Sequence, residues 1–297
     1  MSSNEFDHTV TCLSGDHLIH WQTISRAIVK NIDSKTFSVI CPDDISDKVA
    51  KASDPEFIIL KESELNQDLQ HELRKKVISS ANPDRYGWYL QQFLKLAFIQ
   101  QHRDSEYILI WDSDTIPIRP INFKSPNGEP IFYHGDEFHA EYFRSIHRLT
   151  GLEKLVEKSF IAQCLPVDVR VILPYFDRWS ATATEWYEPL FDSIDFSQQS
   201  GFSEYELVGT IFSHHSERPV QFSERKWIRN GTELFGDPAN IPPKKVAEVD
   251  FVAFEIWQKS GFVARLRRSV LKVLALLGKM SQVNRFRLKG NGSKSKW

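Results

Sequence analysis

The sequence contains few cysteines, and none of them form a pattern that indicates a metal site. Three cysteines in 297 residues lie far apart, without a Cys-x-x-Cys pair. An odd, sparse set of this kind favours reduced thiols and argues against a disulfide scaffold or a zinc site. We therefore expect a protein of a reducing compartment.

Long apolar runs and a targeting segment are also missing. No segment approaches the roughly 20 apolar residues that a membrane-spanning helix requires. The N-terminus, Met-Ser-Ser-Asn-Glu-Phe-Asp, has neither the basic start nor the apolar run of a signal peptide. The sequence therefore predicts a cytoplasmic protein without a spanning helix.

Acidic residues are absent from the last part of the chain. Residues 261–297 hold ten of the 37 basic residues and none of the 39 acidic ones, so the remainder has 27 basic against 39 acidic residues, a net of −12. On a helical wheel, apolar residues gather on one side of this segment and basic residues on the other. This pattern is typical of an interfacial helix and predicts binding to an anionic membrane surface.

Two alternatives for this basic tail remain open. It could dock as a helix on the acidic body, or it could bind nucleic acid. The interleaved leucines and valines argue against the second, so we expect no nucleic-acid partner.

Strand-like and helix-like patterns alternate in the first 111 residues. Strands are predicted at 9–13, 37–41, 56–60 and 107–111, and helices at 18–29 and 88–101. In the second helix, an i, i+3, i+4, i+7, i+8 repeat predicts one buried face, formed by Leu90, Phe93, Leu94, Ala97 and Phe98. This order predicts an α/β fold with a mainly parallel central sheet flanked by helices. Further along, Ser203 and Glu206 have the spacing of a helix-opening capping box.

We predict one large domain at 1–240, in two parts at about 1–125 and about 126–240. Prolines at 238, 242 and 243 mark a linker. The linker and a last element fill 241–260, and the basic tail occupies 261–297.

Two carboxylates, Asp112 and Asp114, follow the apolar run Tyr107-Ile-Leu-Ile-Trp111 directly. Open α/β sheets bind ligands at the carboxyl ends of their strands. Two carboxylates there can hold a hard divalent cation, which prefers oxygen ligands and can share the diphosphate of a nucleotide. The pair therefore predicts a metal and nucleotide site.

Four segments in this order resemble a family of nucleotide-sugar-dependent glycosyltransferases with the GT-A fold, and more closely a poorly characterised bacterial family of such proteins. The segments run from Arg85 to Lys95, Trp111 to Thr115, Ser203 to Gly209 and Trp227 to Gly231. The resemblance covers residues 9–235 and leaves out the tail. It implies that the part at about 1–125 is the donor half of a catalytic domain and that the part at about 126–240 is its acceptor half.

The resemblance implies that Asp112 and Asp114 bind Mn²⁺ or Mg²⁺ bridged to the donor diphosphate. Arg85 and Lys95 are candidates for phosphate contacts, and Ser14, in the turn after the first strand, is a further candidate for donor binding. The alternatives are an Arg85 paired with Asp84 or Glu72 at the surface, and a Lys95 whose stem covers apolar surface while its ammonium reaches water.

Glycosyltransferases of this fold often complete the metal shell with a downstream histidine. His214 and His215 are the candidates, and His134 and His139 form a second cluster that a solvated loop explains equally well. An inverting enzyme also needs a carboxylate base, for which Glu204 is the candidate. In a retaining enzyme Glu204 would orient the acceptor instead.

The expected activity is transfer of a sugar from a nucleotide-sugar donor to a glycan or lipid-linked acceptor, in surface polysaccharide biosynthesis. One alternative is a nucleotidyltransferase, which usually opens with a glycine-rich phosphate loop; residues 13–17 contain a single glycine. The other is a non-catalytic sugar- or lipid-binding protein, which would not need the two aspartates.

Overall fold

A computed structural model describes residues 5–126, 128–216 and 219–255 of the chain. The predicted tail at 261–297 lies outside the described residues. The strands are β1 His8–Cys12, β2 Phe37–Cys41, β3 Phe57–Lys61, β4 Tyr107–Trp111, β5 Thr115–Pro117, β6 Ile131–Phe132, β7 Cys164–Asp168, β8 Gln221–Phe222, β9 Lys226–Ile228 and β10 Val249–Ala253. The α-helices are α1 Leu18–Asn31, α2 Ser46–Ala52, α3 Glu62–Ile78 (interrupted at Asn66), α4 Tyr86–Gln101, α5 Ala140–Thr150, α6 Val169–Thr182, α7 Glu188–Ser193, α8 Glu204–His215 and α9 Gly231–Phe235.

A five-stranded sheet in the order β3-β2-β1-β4-β7 forms the centre of the molecule. β1 pairs in parallel with β2 and β4, and β2 pairs in parallel with β3. Only the β4–β7 pair in this sheet is antiparallel. The predicted α/β class with a mainly parallel sheet flanked by helices is confirmed.

The central strands form because their residues suit burial on both faces. All five residues of β2 are buried, as are the last four of β1 and of β4. Runs of apolar and β-branched residues of this kind are typical of parallel strands covered by helices. The strand predicted at 37–41 is confirmed to the residue, and the others agree within one residue.

One hydrophobic cluster covers each face of the sheet. On one face, α3 and α4 contribute Leu69, Leu73, Phe93 and Phe98. On the other, Trp21, Ile24 and Ile28 of α1 pack against the strands. The buried face that the sequence predicts for α4, formed by Leu90, Phe93, Leu94, Ala97 and Phe98, is confirmed.

A second sheet, in the order β5-β10-β9, begins directly after the β4 turn. β10 pairs antiparallel with β5 and parallel with β9. β10 lies within the segment 241–260, where the sequence predicts a last element, and it returns the chain to the end of β4. None of the helices in the described ranges has both the length and the hydropathy to span a bilayer.

Candidate active site

Asp112 and Asp114 occupy the turn between β4 and β5. The N–H of Asp112 donates to the carbonyl oxygen of Gln163 (2.9 Å), and the N–H of Thr115 donates to that of Asp112 (3.1 Å). The indole N–H of Trp111 donates to the carbonyl oxygen of Thr115 (2.7 Å). These bonds fix both carboxylates at the carboxyl end of a buried strand.

The two aspartates line a cavity of about 270 Å³. Residues from α4, the β4 turn, the segment before α5, the N-terminus of α8 and the end of β10 contribute to its wall. Its lining consists of His17, Trp88, Gln91, Gln92, Lys95, Asp112, Ser113, Asp114, Glu137, Tyr142, Ile161, Gln163, Ser203, Glu204, Tyr205, Arg229 and Glu255.

A buried lysine joins two carboxylates at the base of this cavity. Lys95 Nζ lies 2.6 Å from Asp112 Oδ1 and 2.9 Å from Glu204 Oε1, and the lysine side chain is 3% exposed. The hydroxyl of Tyr205 also donates to Asp112 Oδ1 (2.8 Å). Burial alone would lower the pKa of Lys95, but the two carboxylates outweigh it and raise that pKa. Lys95 is therefore a charged member of a buried ion-pair network, not a surface lysine.

The start of α8 places Glu204 in this network. Ser203 caps the helix, its hydroxyl accepting from the N–H of Glu206 (3.3 Å). The N–H of Glu204 donates to Gln92 Oε1 (3.1 Å), and Gln92 Nε2 donates to the carbonyl oxygen of Trp88 (3.1 Å). Because Gln92 satisfies an N–H at the helix start, the Glu204 carboxyl remains available to face Lys95. Burial raises the pKa of Glu204, an effect that Lys95 opposes.

The capping box predicted at Ser203 and Glu206 is formed only in part. The Glu206 carboxylate does not return to the helix start; it accepts from Ser159 Oγ (2.6 Å) and lies 3.3 Å from Lys154 Nζ. The Glu206 side chain instead binds residues that are distant in the chain, which the local spacing does not reveal.

Each aspartate of the pair retains one oxygen without a protein partner. Asp112 uses Oδ1 for Lys95 and Tyr205, and Asp114 Oδ1 accepts from the Thr115 hydroxyl (3.1 Å). No hydrogen bond from a residue within the described ranges reaches Oδ2 of either. Burial, and then the charge of Asp112, raise the pKa of Asp114 to about 7. A divalent cation at Oδ2 would favour the ionised form of this carboxyl group.

A second group of charged side chains contributes to the lining of the cavity. Arg229 Nη1 donates to Glu137 Oε2 and Arg229 Nε to Glu255 Oε1, both at 2.9 Å. Gln163 Nε2 also donates to Glu255 Oε1 (3.1 Å). We call Glu137, Arg229 and Glu255 the arginine triad.

The β5–β10 pairing brings Glu255 beside the aspartates. The N–H of Phe254 donates to the carbonyl oxygen of Asp114 (2.7 Å), so Glu255 is one residue away from a direct contact with the β4 turn. Its side chain is 6% exposed. The arginine triad and the aspartates therefore belong to one cavity.

Gln163 links the turn after β4 to Glu255 and has an unusual backbone conformation. It is the one non-glycine residue in the described ranges with a positive φ, 65°. Its carbonyl oxygen holds the Asp112 N–H, and its carboxamide holds Glu255. Left-handed conformations of non-glycine residues cost free energy and concentrate at functional sites.

The lining is acidic. Five carboxylates (Asp112, Asp114, Glu137, Glu204 and Glu255) face two basic groups (Lys95 and Arg229), a formal net charge of −3. His17 does not offset this charge, since burial lowers its pKa. An anionic ligand therefore needs a cation to enter.

Arg85 lies beside the cavity without lining it. Its guanidinium carbon is 3.9 Å from the ring centroid of Trp88, which does line the cavity. Its Nε is buried without a hydrogen-bond partner among the described residues. The surface pairing with Glu72 is not formed, because Glu72 pairs with Lys75 instead (2.7 Å).

Ser14 is exposed and lies outside the lining. Its carbonyl oxygen accepts from the N–H of His17 (3.1 Å) in the turn after β1. The same turn brings His17 Nδ1 to 3.0 Å from Ser113 Oγ. Ser14 therefore shapes the turn that delivers His17 to the cavity.

His214 and His215 lie at the far end of α8. His214 Nε2 is 2.8 Å from the carbonyl oxygen of Glu153, and His215 Nε2 is 2.8 Å from the hydroxyl of Tyr175. Ten helical residues separate His214 from Glu204, which is about 15 Å along the axis. The structure does not bring either histidine to the aspartates.

A family model described as "Family of unknown function (DUF6492)" matches residues 19–233. The chain belongs to this family. No curated protein matches its sequence.

Among solved structures, this DUF6492 chain is similar to three glycosyltransferases. Mouse xyloside xylosyltransferase 1 has a TM-score of 0.47 at 10% identity, covering 86% of this chain and 100% of its own. The bifunctional WbbM has a TM-score of 0.48 at 11% identity, covering 83% and 45%. The galactosyltransferase LgtC, in complex with donor and acceptor sugar analogues, has a TM-score of 0.42 at 10% identity, covering 83% and 86%.

Several lining residues of the DUF6492 chain were not identified from the sequence. Tyr205 and Arg229 lie inside segments that the resemblance uses, so a signal was present. Glu137 lies in the His134–His139 cluster, where only the histidines were considered. Glu255 and Gln163 had no local signal, because β-pairing and backbone conformation bring them to the site.

Proposed function

We propose that this protein is a metal-dependent glycosyltransferase with a GT-A-type fold, transferring a sugar from a nucleotide-sugar donor to a glycan or lipid-linked acceptor. The observation that carries the proposal is the position of Asp112 and Asp114. Both lie at the carboxyl end of β4, both line the cavity, and both have an oxygen that accepts no hydrogen bond from the residues that the structure describes.

The aspartates fit a hard divalent cation such as Mn²⁺ or Mg²⁺, which takes oxygen ligands and often completes its shell with water and substrate phosphates. Within the described ranges, no group of three or more His, Cys, Asp or Glu side chains is arranged to hold a metal alone. Asp112 and Asp114 would therefore share the cation with the diphosphate of the donor. When bound, the cation would stabilise the negative charge that the leaving nucleoside diphosphate acquires.

The net negative charge of the cavity lining supports a requirement for a divalent cation. A nucleotide diphosphate would meet a net charge of −3 in a site that burial partly shields from solvent. Like charges in such a place repel strongly. We therefore expect donor binding to depend on the divalent cation.

In the proposed reaction, an acceptor oxygen forms a bond to C1 of the sugar while the bond from C1 to the phosphate oxygen breaks. The nucleoside diphosphate leaves with that electron pair. Glu204 takes the acceptor proton if the reaction inverts C1. If the reaction retains the configuration, the acceptor proton passes to the leaving phosphate oxygen and Glu204 orients the acceptor. Lys95 holds Glu204 and Asp112 in fixed relation, since it binds both carboxylates.

Arg85, Lys95 and Ser14 remain proposed donor-side residues with different roles. We expect Arg85, whose guanidinium stacks on Trp88, to contact an anionic group of the donor. Lys95 would hold Asp112 in position, and Ser14 would shape the turn that brings His17 to the cavity. His214 and His215 are not part of the metal site that we propose.

The acceptor side and the cellular location rest on the sequence. We propose that residues 261–297, outside the described residues, attach a cytoplasmic enzyme to an anionic membrane surface. An acceptor carried on a lipid would suit this placement.

Hydrolysis of nucleotide sugars provides the test. Wild-type protein is incubated with UDP-, GDP- and CMP-sugars plus Mn²⁺, and release of the free nucleotide is measured. We expect release from one nucleotide class, its loss with EDTA, and its loss in Asp112→Asn and Asp114→Asn proteins that remain folded. Release that persists in both variants would contradict the proposal.

A further inference from the structure

Both basic groups in the lining already have carboxylate partners. Lys95 lies between Asp112 and Glu204, and Arg229 lies between Glu137 and Glu255. The distances, 2.6–2.9 Å, are those of charge-assisted hydrogen bonds. A negatively charged ligand group would have to displace one of these partners to reach either cation.

The charge of the lining stays negative after a divalent cation binds. The five carboxylates and two basic groups give −3, and a divalent cation brings this to −1 before the donor enters. Asp112 and Asp114 would share that cation with the diphosphate. The sugar beyond the diphosphate then meets a lining that still contains Glu137 and Glu255.

The arginine triad has a built environment and is not a chance surface cluster. Glu255 is 6% exposed, and Gln163, itself 5% exposed, fixes it from a second side. The side chains of Glu137 and Arg229 are 21% and 38% exposed, so the open side of the triad faces the cavity. Bound carboxylate oxygens keep further lone pairs, and these accept hydrogen bonds from hydroxyl or amine donors.

We propose that the arginine triad makes the protein selective for nucleotide sugars whose transferred sugar is uncharged or cationic, that is a neutral hexose, an N-acetylated sugar or an amino sugar, and that it rejects uronic and other acidic sugars. This selectivity rests on the proposed function. A neutral sugar offers hydroxyl donors to Glu137 and Glu255. A sugar carboxylate offers only acceptors, and it would compete with those two glutamates for Arg229.

Matched pairs of nucleotide sugars test the selectivity. UDP, UDP-glucose and UDP-glucuronate differ only in the group beyond the diphosphate, and GDP-mannose with GDP-mannuronate forms the equivalent guanosine pair. Dissociation constants are measured by calorimetry with Mn²⁺ present. We expect the neutral member to bind about tenfold to hundredfold more tightly than the acidic member, the range for one uncompensated like-charge contact in a partly shielded site.

Two variants test the assignment to the triad. Glu137→Gln leaves Arg229 with one carboxylate fewer, so the preference for the neutral sugar should fall by about tenfold. Glu255→Gln should do the same, and a thermal melt establishes that it is folded. Glu141→Gln is the matched control, since Glu141 pairs with Arg144 on α5 outside the lining and should leave the preference unchanged.

The outcomes separate this selectivity from the proposed function. Tight binding of UDP and both UDP-sugars without discrimination would overturn the selectivity alone, and would place the triad against the ribose. A wild type that prefers the acidic sugar, or variants that leave the preference unchanged, would overturn it as well. Failure of every nucleotide to bind in Mn²⁺ would refute the proposed function and the selectivity with it.

Discussion

Replacing Lys95 with methionine is the most demanding test of the buried network. The lysine is 3% exposed and contacts two carboxylates, Asp112 at 2.6 Å and Glu204 at 2.9 Å. Methionine preserves much of the stem volume and removes the charge. Two carboxylates then share a buried site without a cation, and breaking a buried pair in this way costs about 3–5 kcal/mol.

The size of this loss of stability depends on the burial of the ion pair and not on its N···O distance. Lys75 lies 2.7 Å from Glu72, a separation equal to those in the network, but its side chain is 57% exposed. An exposed pair of this kind is screened by water and contributes little to stability. Lys75→Met is therefore a control that is matched in chemistry and geometry and differs in burial.

The assay is urea unfolding in EDTA at pH 7, followed by tryptophan fluorescence. We expect a loss of about 3–5 kcal/mol in the free energy of unfolding for Lys95→Met and no significant loss for Lys75→Met. Adding Glu204→Gln to Lys95→Met should recover at least about 1 kcal/mol, because one uncompensated carboxylate is gone. A Lys95→Met protein within 1 kcal/mol of wild type would refute the reasoning.

Three further predictions concern other parts of the fold. Gly209→Ala should destabilise the protein by about 1–3 kcal/mol, because an added Cβ would overlap the ring of Phe160. Gly87→Ala should be neutral or stabilising by up to about 1 kcal/mol, because a Cβ added there has open space around it. Equal denaturation midpoints for the two variants would contradict this expectation. Burial raises the pKa of Glu62 from 4.5 to about 7, so the folded protein binds a proton there more tightly than the unfolded chain does. The stability that this proton contributes is lost as the pH rises from about 4.5 through 7. Glu62→Gln should therefore have a higher urea midpoint than wild type at pH 8 but not at pH 4.5, and a pH-independent difference would count against this. Gln163→Gly should be more stable to urea than Gln163→Ala by about 1 kcal/mol, because only glycine adopts a φ of 65° without strain; an alanine variant of equal stability would show that no strain is stored there.

The sequence predicts the first half of the fold well because its signals there are local. Apolar runs such as Phe37–Cys41 mark strands that are buried on both faces, and the 3.6-residue repeat from Leu90 to Phe98 marks the buried face of α4. The turn after Trp111 follows from the abrupt change from apolar to acidic residues. These features depend on neighbours within a few positions.

The other half of the cavity depends on contacts distant in the chain. The antiparallel strand β7 gives no sequence sign of its direction, and it carries Gln163 to the β4 turn. Glu255 reaches the cavity because β10 pairs with β5, more than 130 residues earlier. The spacing of Ser203 and Glu206 predicts a capping box, but the Glu206 carboxylate binds Ser159 and Lys154 instead. The division into donor and acceptor halves stays a prediction.

The most direct test of the central claim is the binding of Mn²⁺ itself, followed by electron paramagnetic resonance of the free ion. Titrations are run on wild type and Asp114→Asn with no nucleotide and with UDP, GDP or CMP. We expect one Mn²⁺ to bind per wild-type chain, tightly only when the preferred nucleotide is present, and no such binding in Asp114→Asn. Nucleotide that binds equally well in EDTA, or Mn²⁺ binding that is unchanged in Asp114→Asn, would contradict the account.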